Sequence, residues 1–208
     1  TGTGANQAIS HTYAGAGTYT IRMRFAAATD VTYLNGSGNG ITGDIAQLSR
    51  FTSLVYLYLY STSVSGDIAN LSGLTSLTVL HLGSTSVSGG IANLSGLTSL
   101  VYLYMYNTSV DGDIANLSGL ASLTYLYLGS TSVSYTTAAL PAWAGCNIRL
   151  QDNAWSTTEV DQFMIDLADG VGAGGSLTID GTNDARSSAS DAAKAALLAA
   201  GWGVTVNE

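Results

Sequence analysis

Cations are scarce in this chain of 208 residues. Six lysines and arginines stand against fourteen aspartates and glutamates, only 10% of residues are charged, and the net charge is −8. Nucleic acids and anionic membrane surfaces are held by clustered Lys and Arg, so neither is an expected partner. Cysteine occurs once, at Cys146, which excludes an internal disulfide. Histidine occurs twice, at His11 and His81, and no recurring carboxylate accompanies either. A catalytic triad needs nucleophile, base and orienting group in mutual reach, so an enzyme is not expected. No apolar run approaches the roughly 20 residues that cross a bilayer, and no membrane insertion is expected in this chain. The chain opens at Thr1 without a methionine, as expected of a processed form or a piece of something longer.

What is present is repetition. Leu-x-x-Leu-x-Leu begins at Leu54, Leu77, Leu100 and Leu123, a period of 23 residues. Other columns keep step: Leu57, Leu80, Leu103 and Leu126; Leu59, Leu82, Met105 and Leu128; Val64, Val87, Val110 and Val133; Gly66, Gly89 and Gly112; Ile68, Ile91 and Ile114. The last two leucines of each motif are two residues apart, so they point to one side of a strand and their neighbours to the other. A single coil cannot bury that apolar side, and stacked coils convert it into one continuous core. The segment after each strand has apolar residues at irregular spacings, broken by glycine and serine. It predicts a return path of turns and short helical or extended pieces, with Gly66, Gly89 and Gly112 at turns of positive φ or close packing.

This pattern resembles the leucine-rich repeats of plant-type and bacterial extracellular proteins, and the run from Leu54 to Ala69 carries the likeness. Two slots depart from it. Thr62, Thr85, Thr108 and Thr131 stand where the family has asparagine, and Ala69, Ala92 and Ala115 where it has proline. The family's asparagine satisfies turn backbone between coils, and threonine has a shorter reach for the same task. The resemblance implies an α/β repeat solenoid, a right-handed coil with a parallel sheet on its concave face. About eight strands are expected, with an irregular convex side in the middle and helices in the C-terminal coils.

Three segments are expected. Residues 1–30 are expected to form an N-terminal hairpin cap, because Tyr19 to Phe25 alternates apolar and polar after a glycine turn; His11, Tyr13, Gly17 and Tyr19 there resemble the closing hairpin of PKD-type domains, and the alternative is the tail of an upstream domain of that type. Residues 31–134 hold the regular repeats, starting with a degenerate coil marked by Val31, Leu34, Gly36, Asn39, Ile41, Gly43 and Ile45. Residues 135–208 continue the same solenoid in longer coils whose strands centre on Ile148 and Leu150, Leu177 and Ile179, and Val204 and Val206. Their extra length is explained by helices: Ser156 and Glu159 form a capping-box pair ahead of Val160, Phe163, Met164 and Leu167, and Asp191 to Ala200 runs to Gly201.

The outward strand positions carry the informative residues. Tyr33, Tyr56, Tyr102 and Tyr125 share one column, interrupted by Val79; Tyr58, Tyr104 and Tyr127 share the next, with His81 among them; Tyr60 and Tyr106 share a third. In the resembling family this concave side is the usual ligand surface. Tyrosine joins a flat apolar face to a hydrogen-bonding tip at low entropy cost, which suits protein or glycan recognition. Tyrosine also favours strands, and stacking of like residues stabilises a ladder whether or not anything binds. Asp44, Asp67 and Asp113 form a broken column on the turns; a solvated acidic turn is expected there rather than a calcium site. Neither metal nor cofactor is expected. The expected function is a non-enzymatic recognition module, secreted or exposed on a cell or virion surface, binding a protein or glycan through the tyrosine face. The alternative is a structural block or spacer of such an assembly, with copies of itself as partner.

Overall fold

In the computed structural model, residues 31–141, 143–170 and 172–208 are described, and the expected N-terminal hairpin lies outside them. Each regular coil begins with a three-residue strand: β1 (Tyr33–Asn35), β3 (Tyr56–Tyr58), β5 (Val79–His81), β7 (Tyr102–Tyr104) and β9 (Tyr125–Tyr127). The coils beyond contribute β11 (Asn147–Arg149), β12 (Ser176–Ile179) and β13 (Gly203–Val206). These eight strands form one parallel sheet in chain order, and register places Leu57, Leu80, Leu103, Leu126, Ile148, Leu177 and Val204 in one row. Leu54, Leu57, Leu77, Leu80, Leu100 and Leu103 are all fully buried, which is the interior the 23-residue spacing predicts.

The return path is more regular than its sequence. A second parallel sheet runs along it through β2 (Thr42–Asp44), β4 (Ser63–Asp67), β6 (Ser86–Gly90), β8 (Ser109–Asp113) and β10 (Ser132–Ser134). Here Gly43 pairs with Val64 and Gly66 with Val87, although the residue equivalent to Gly43 one coil later is Gly66. The slip is even, so it leaves Val64, Val87 and Val110 on the buried side. Four 3-10 helices follow these strands, at Ile45–Leu48, Ile68–Leu71, Ile91–Leu94 and Ile114–Leu117. Gly66 and Gly89 have φ of +113° and +106°, and a Cβ on either would lie 2.2–2.3 Å from a carboxylate oxygen of the preceding coil's aspartate. Only glycine fits there.

Those aspartates explain the acidic column. Asp44, Asp67 and Asp113 each accept a 2.8 Å hydrogen bond from the backbone N–H two residues on, capping a 3-10 helix. Gly90 holds the same position in the coil between and offers no side-chain cap. A Cβ on Gly90 would meet nothing closer than 3.7 Å, and its φ of −73° is open to any residue. Gly90→Asp is therefore expected to raise stability by about 0.5–1 kcal/mol, from a restored cap and a less flexible unfolded chain. Urea unfolding with an unchanged m-value checks this, and a lower midpoint would show that repulsion from Asp111 outweighs the cap.

The coils of β1 to β12 each turn their corner through a left-handed residue. Gly38, Ser61, Ser84, Asn107, Ser130, Asp152 and Gly181 have φ between 52° and 73°. Ser61, Ser84, Asn107 and Ser130 donate their backbone N–H to the carbonyls of Gly83, Tyr106, Gly129 and Gln151 in the next coil. The threonines beside this corner depart from expectation. Their hydroxyls do not reach an adjacent coil: Thr62, Thr85 and Thr108 donate to Leu59, Leu82 and Met105, three residues back in the same coil, at 2.6–2.7 Å. Side-chain bonding from coil to coil in this slot appears at Asn153 and Asn183. Asn153 accepts from the N–H and hydroxyl of Thr131, and Asn183 accepts from the N–H groups of Asn153 and Trp155. Thr85→Val is expected to cost about 0.5–1.5 kcal/mol for one neutral hydrogen bond, read from the shift in thermal midpoint.

The C-terminal coils are lengthened by helices as the sequence predicts. α1 (Thr157–Asp169) starts in a capping box in which the Glu159 N–H donates to the Ser156 hydroxyl and the Ser156 N–H donates to the Glu159 carboxylate. α2 (Asp191–Ala199) is followed by Gly201 at φ +84°. Trp143, Trp155 and Trp202 are buried, and each indole N–H finds a carbonyl, of Leu120, Val133 and Gly172. That satisfaction lets three large polar-tipped rings sit in the core.

Candidate functional site on the concave sheet

Alternation along β1, β3, β5, β7 and β9 sends the leucines inward and leaves the intervening side chains outside, so the tyrosine columns are a consequence of strand geometry. Parallel register then brings the columns into contact. Tyr33 lies 5.9 Å from Tyr56 and 5.8 Å from Tyr58, between ring centroids. Tyr58 meets the edge of His81 at 6.5 Å. His81 stacks on Tyr60 at 4.3 Å, approaches Tyr104 at 4.7 Å and Tyr106 at 5.8 Å. Tyr102 stacks on Tyr125 at 5.1 Å, and Tyr104 meets Tyr127 edge-on at 4.9 Å. All ten residues singled out on this face therefore belong to one connected band of rings across five coils.

The band is not uniform. Tyr33 and Tyr56 are 54% and 41% exposed, whereas the remaining rings are half-buried against one another. The middle coil carries smaller residues, and its neighbours lean over them. Val79 is buried, and the Tyr106 ring covers Gly83 so closely that a Cβ there would lie 2.6 Å from it. Burial favours the neutral forms of His81 and Tyr104. Burial lowers the His81 imidazole to about 4, and its buried Nε2 has no hydrogen-bond partner. Burial, with Tyr127 and Tyr125 alongside, pushes the Tyr104 phenol up to about 12. An imidazole kept neutral among phenols packs as one more ring of the band.

Beside the band lies a cleft of about 310 Å³ that the sequence reading missed, lined by Tyr106, Tyr127, Gly129, Ser130, Arg149 and Gln151. Register explains it. Arg149 pairs with Tyr127 and so continues the column of Tyr58, His81, Tyr104 and Tyr127 one coil further, its guanidinium carbon 4.6 Å from the Tyr127 ring centre. The signal was available: Ile148 and Leu150 fix the phase of that coil, and Arg149 lies between them. The described residues hold no group of three or more His, Cys, Asp or Glu placed to share a metal ion. No described helix is long and apolar enough to cross a membrane.

No protein-family model matches the chain, and no curated protein gives a significant match. Solved structures do. An internalin from Listeria monocytogenes is similar over 87% of this chain and 49% of its own, at 24% identity and a TM-score of 0.62. The leucine-rich-repeat ectodomain of the membrane receptor kinase GASSHO1/SCHENGEN3 from Arabidopsis thaliana, in complex with CASPARIAN STRIP INTEGRITY FACTOR 2, is similar over 75% of this chain and 19% of its own, at 20% identity and a TM-score of 0.58. A plant peptide hormone receptor in complex with RGF2 is similar over 76% of this chain and 28% of its own, at 20% identity and a TM-score of 0.54. The chain thus spans less than half the length of each. The shared coil, the parallel sheet and the register of its leucines agree: this chain is folded as a leucine-rich-repeat solenoid.

Proposed function

We propose that the chain is a non-enzymatic recognition module, secreted or exposed on a surface, that binds a protein or glycan partner across the tyrosine-rich side of its eight-stranded sheet. The observation that carries this reading is the continuous ring band from Tyr33 to Tyr127. Aromatic residues with a polar tip are the side chains that most often anchor interfaces, and an exposed band of them on a low-charge body marks an interaction surface. Two structures of similar fold are complexes with a factor or hormone, which supports a protein partner.

Tyr58, Tyr104 and Tyr127 replaced together by serine is the test. None of the three belongs to the leucine core, so circular dichroism is expected to show a folded protein. Binding on peptide and glycan arrays is expected to be lost. A folded triple variant that binds everything the parent binds would end this reading. An unfolded one would show that the rings serve the ladder alone.

A further inference from the structure

We infer that the cleft at the edge of the ring band is a subsite for an acidic sugar, a hexuronate unit of a polysaccharide; the inference rests on the band being a binding face. Three observations converge on it. The first is an uncommitted cation. Among the described residues Arg186 and Lys194 form ion pairs with Asp191 and Glu208, and Arg50 donates to Gln47, whereas Arg149 forms no ion pair and only stacks on Tyr127. In a chain of net charge −8 such an exposed guanidinium, 4.6 Å from a ring centre and without an ion-pair partner, suits a bidentate carboxylate.

The second observation is an unsatisfied acceptor in the lining. Arg149 and Gln151 stand at alternate positions of the β11 coil and so share a face. The Gln151 Oε1 atom is buried and has no hydrogen-bond partner. Buried acceptors of this kind cost stability unless a ligand or solvent donor reaches them, and sugar hydroxyls are donors. Gly129 opens the floor, where a Cβ would lie 2.8 Å from the Gln151 carboxamide.

The third is the character of the walls. Two phenol rings, a serine, a carboxamide and a guanidinium line the space, and no aliphatic side chain does. Pockets that anchor peptide side chains are predominantly apolar. An aromatic wall with polar groups at its rim fits a pyranose, whose C–H face stacks on a ring while its edge hydroxyls and carboxylate are hydrogen-bonded. At about 310 Å³ the cleft has room for such a ring.

The experiment titrates the whole chain with β-linked tetraglucuronate, with its carboxyl-reduced counterpart cellotetraose, and with an acidic tetrapeptide, by calorimetry at low salt. Tetraglucuronate is expected to bind. Arg149→Gln, at an exposed position, is expected to stay folded by circular dichroism and to bind at least about tenfold more weakly, the loss of a charge-assisted bidentate contact. Gln151→Leu is expected to weaken binding as well, and cellotetraose to bind poorly. No tetraglucuronate binding by the parent, equal binding by Arg149→Gln, or equal or tighter binding of cellotetraose or of the peptide would each overturn the subsite. Tyr33→Ser with Tyr56→Ser separates the two readings. Those rings lie at the far end of the band, so array binding lost in that variant with tetraglucuronate binding retained supports both. An intact array profile in Arg149→Gln combined with unchanged tetraglucuronate binding leaves the band standing and removes the subsite alone.

Discussion

Leu103→Ala is expected to lower the unfolding free energy by roughly 2–5 kcal/mol, toward the upper end of that range. Leu103 is fully buried at the centre of β7, paired with Leu80 on one side and Leu126 on the other. The cost of such a truncation depends on how far the surroundings collapse into the space left. Here they collapse little, because the coils above and below are fixed by backbone hydrogen bonds in both parallel sheets and at the corner. The position is also central in a body where each coil touches only its neighbours, so the loss weakens two interfaces. Urea denaturation followed by circular dichroism reads the effect. A midpoint equal to that of the parent would overturn the register described for the sheet.

Asp161→Ala is expected to cost about 2–4 kcal/mol, since it leaves buried donors unanswered. Asp161 is buried on α1 and accepts from the Ser187 N–H at 3.0 Å, the Ser187 hydroxyl at 2.5 Å and the Ser190 hydroxyl at 2.6 Å. Ser190 is itself fully buried, so water does not replace the carboxylate there. The same cluster sets a pH dependence. Burial raises the Asp161 carboxyl, but the bonds from Ser187 and Ser190 and the nearby Arg186 charge outweigh it and hold the group below its ordinary value. A depressed folded-state value adds stability above the unfolded value, about pH 4, and that stability is lost as pH falls through the folded one. Asp166 is lowered in the same way against the burial that raises it, by the Tyr135 hydroxyl, the Ala138 N–H, Gln162 and Thr137. The parent is therefore expected to lose stability steeply below about pH 4, and Asp161→Asn to flatten that limb. An unchanged acid limb would show that the Ser187 and Ser190 contacts carry no net weight.

The reasons for these expectations differ in how far they can be read from the chain alone. Leu103 is legible because a strand has a period of two and the coil a period of 23, and both survive in the letters. Val204 and Val206 are legible for the same reason, even though the coil before them is longer. The second sheet is not. Its longer strands read Ser-Val-Ser-Gly-Asp, Ser-Val-Ser-Gly-Gly and Ser-Val-Asp-Gly-Asp, compositions equally suited to a turn, and only the stacking of near-identical copies turns them into β-structure. The direction of the threonine hydroxyls was likewise hidden, since a side chain one atom shorter than its slot changes partner without changing position. Asp161 gave no signal: its partners lie 26 and 29 residues later and depend on how α2 meets α1. In the candidate site, the tyrosine columns followed from alternation, and the outward place of Arg149 was legible in the same way between Ile148 and Leu150; the cleft it lines with Tyr106, Tyr127 and Gln151 depends on how the coils stack and was not.

The left-handed corners carry a consequence for assembly. At each described corner between Gly38 and Ser130 the donor points along the chain and the acceptor waits in the coil ahead, so the row is a vector rather than a symmetric rung. Along this row a solenoid has unlike ends, and two copies stacked head to head would bring like groups of the row together. The sheet beside it also bonds the other way, as from the Val55 and Thr78 N–H groups back to Thr32 and Val55, so the corner row alone is directional. Continuing that row from one copy into the next takes a head-to-tail, heterologous contact.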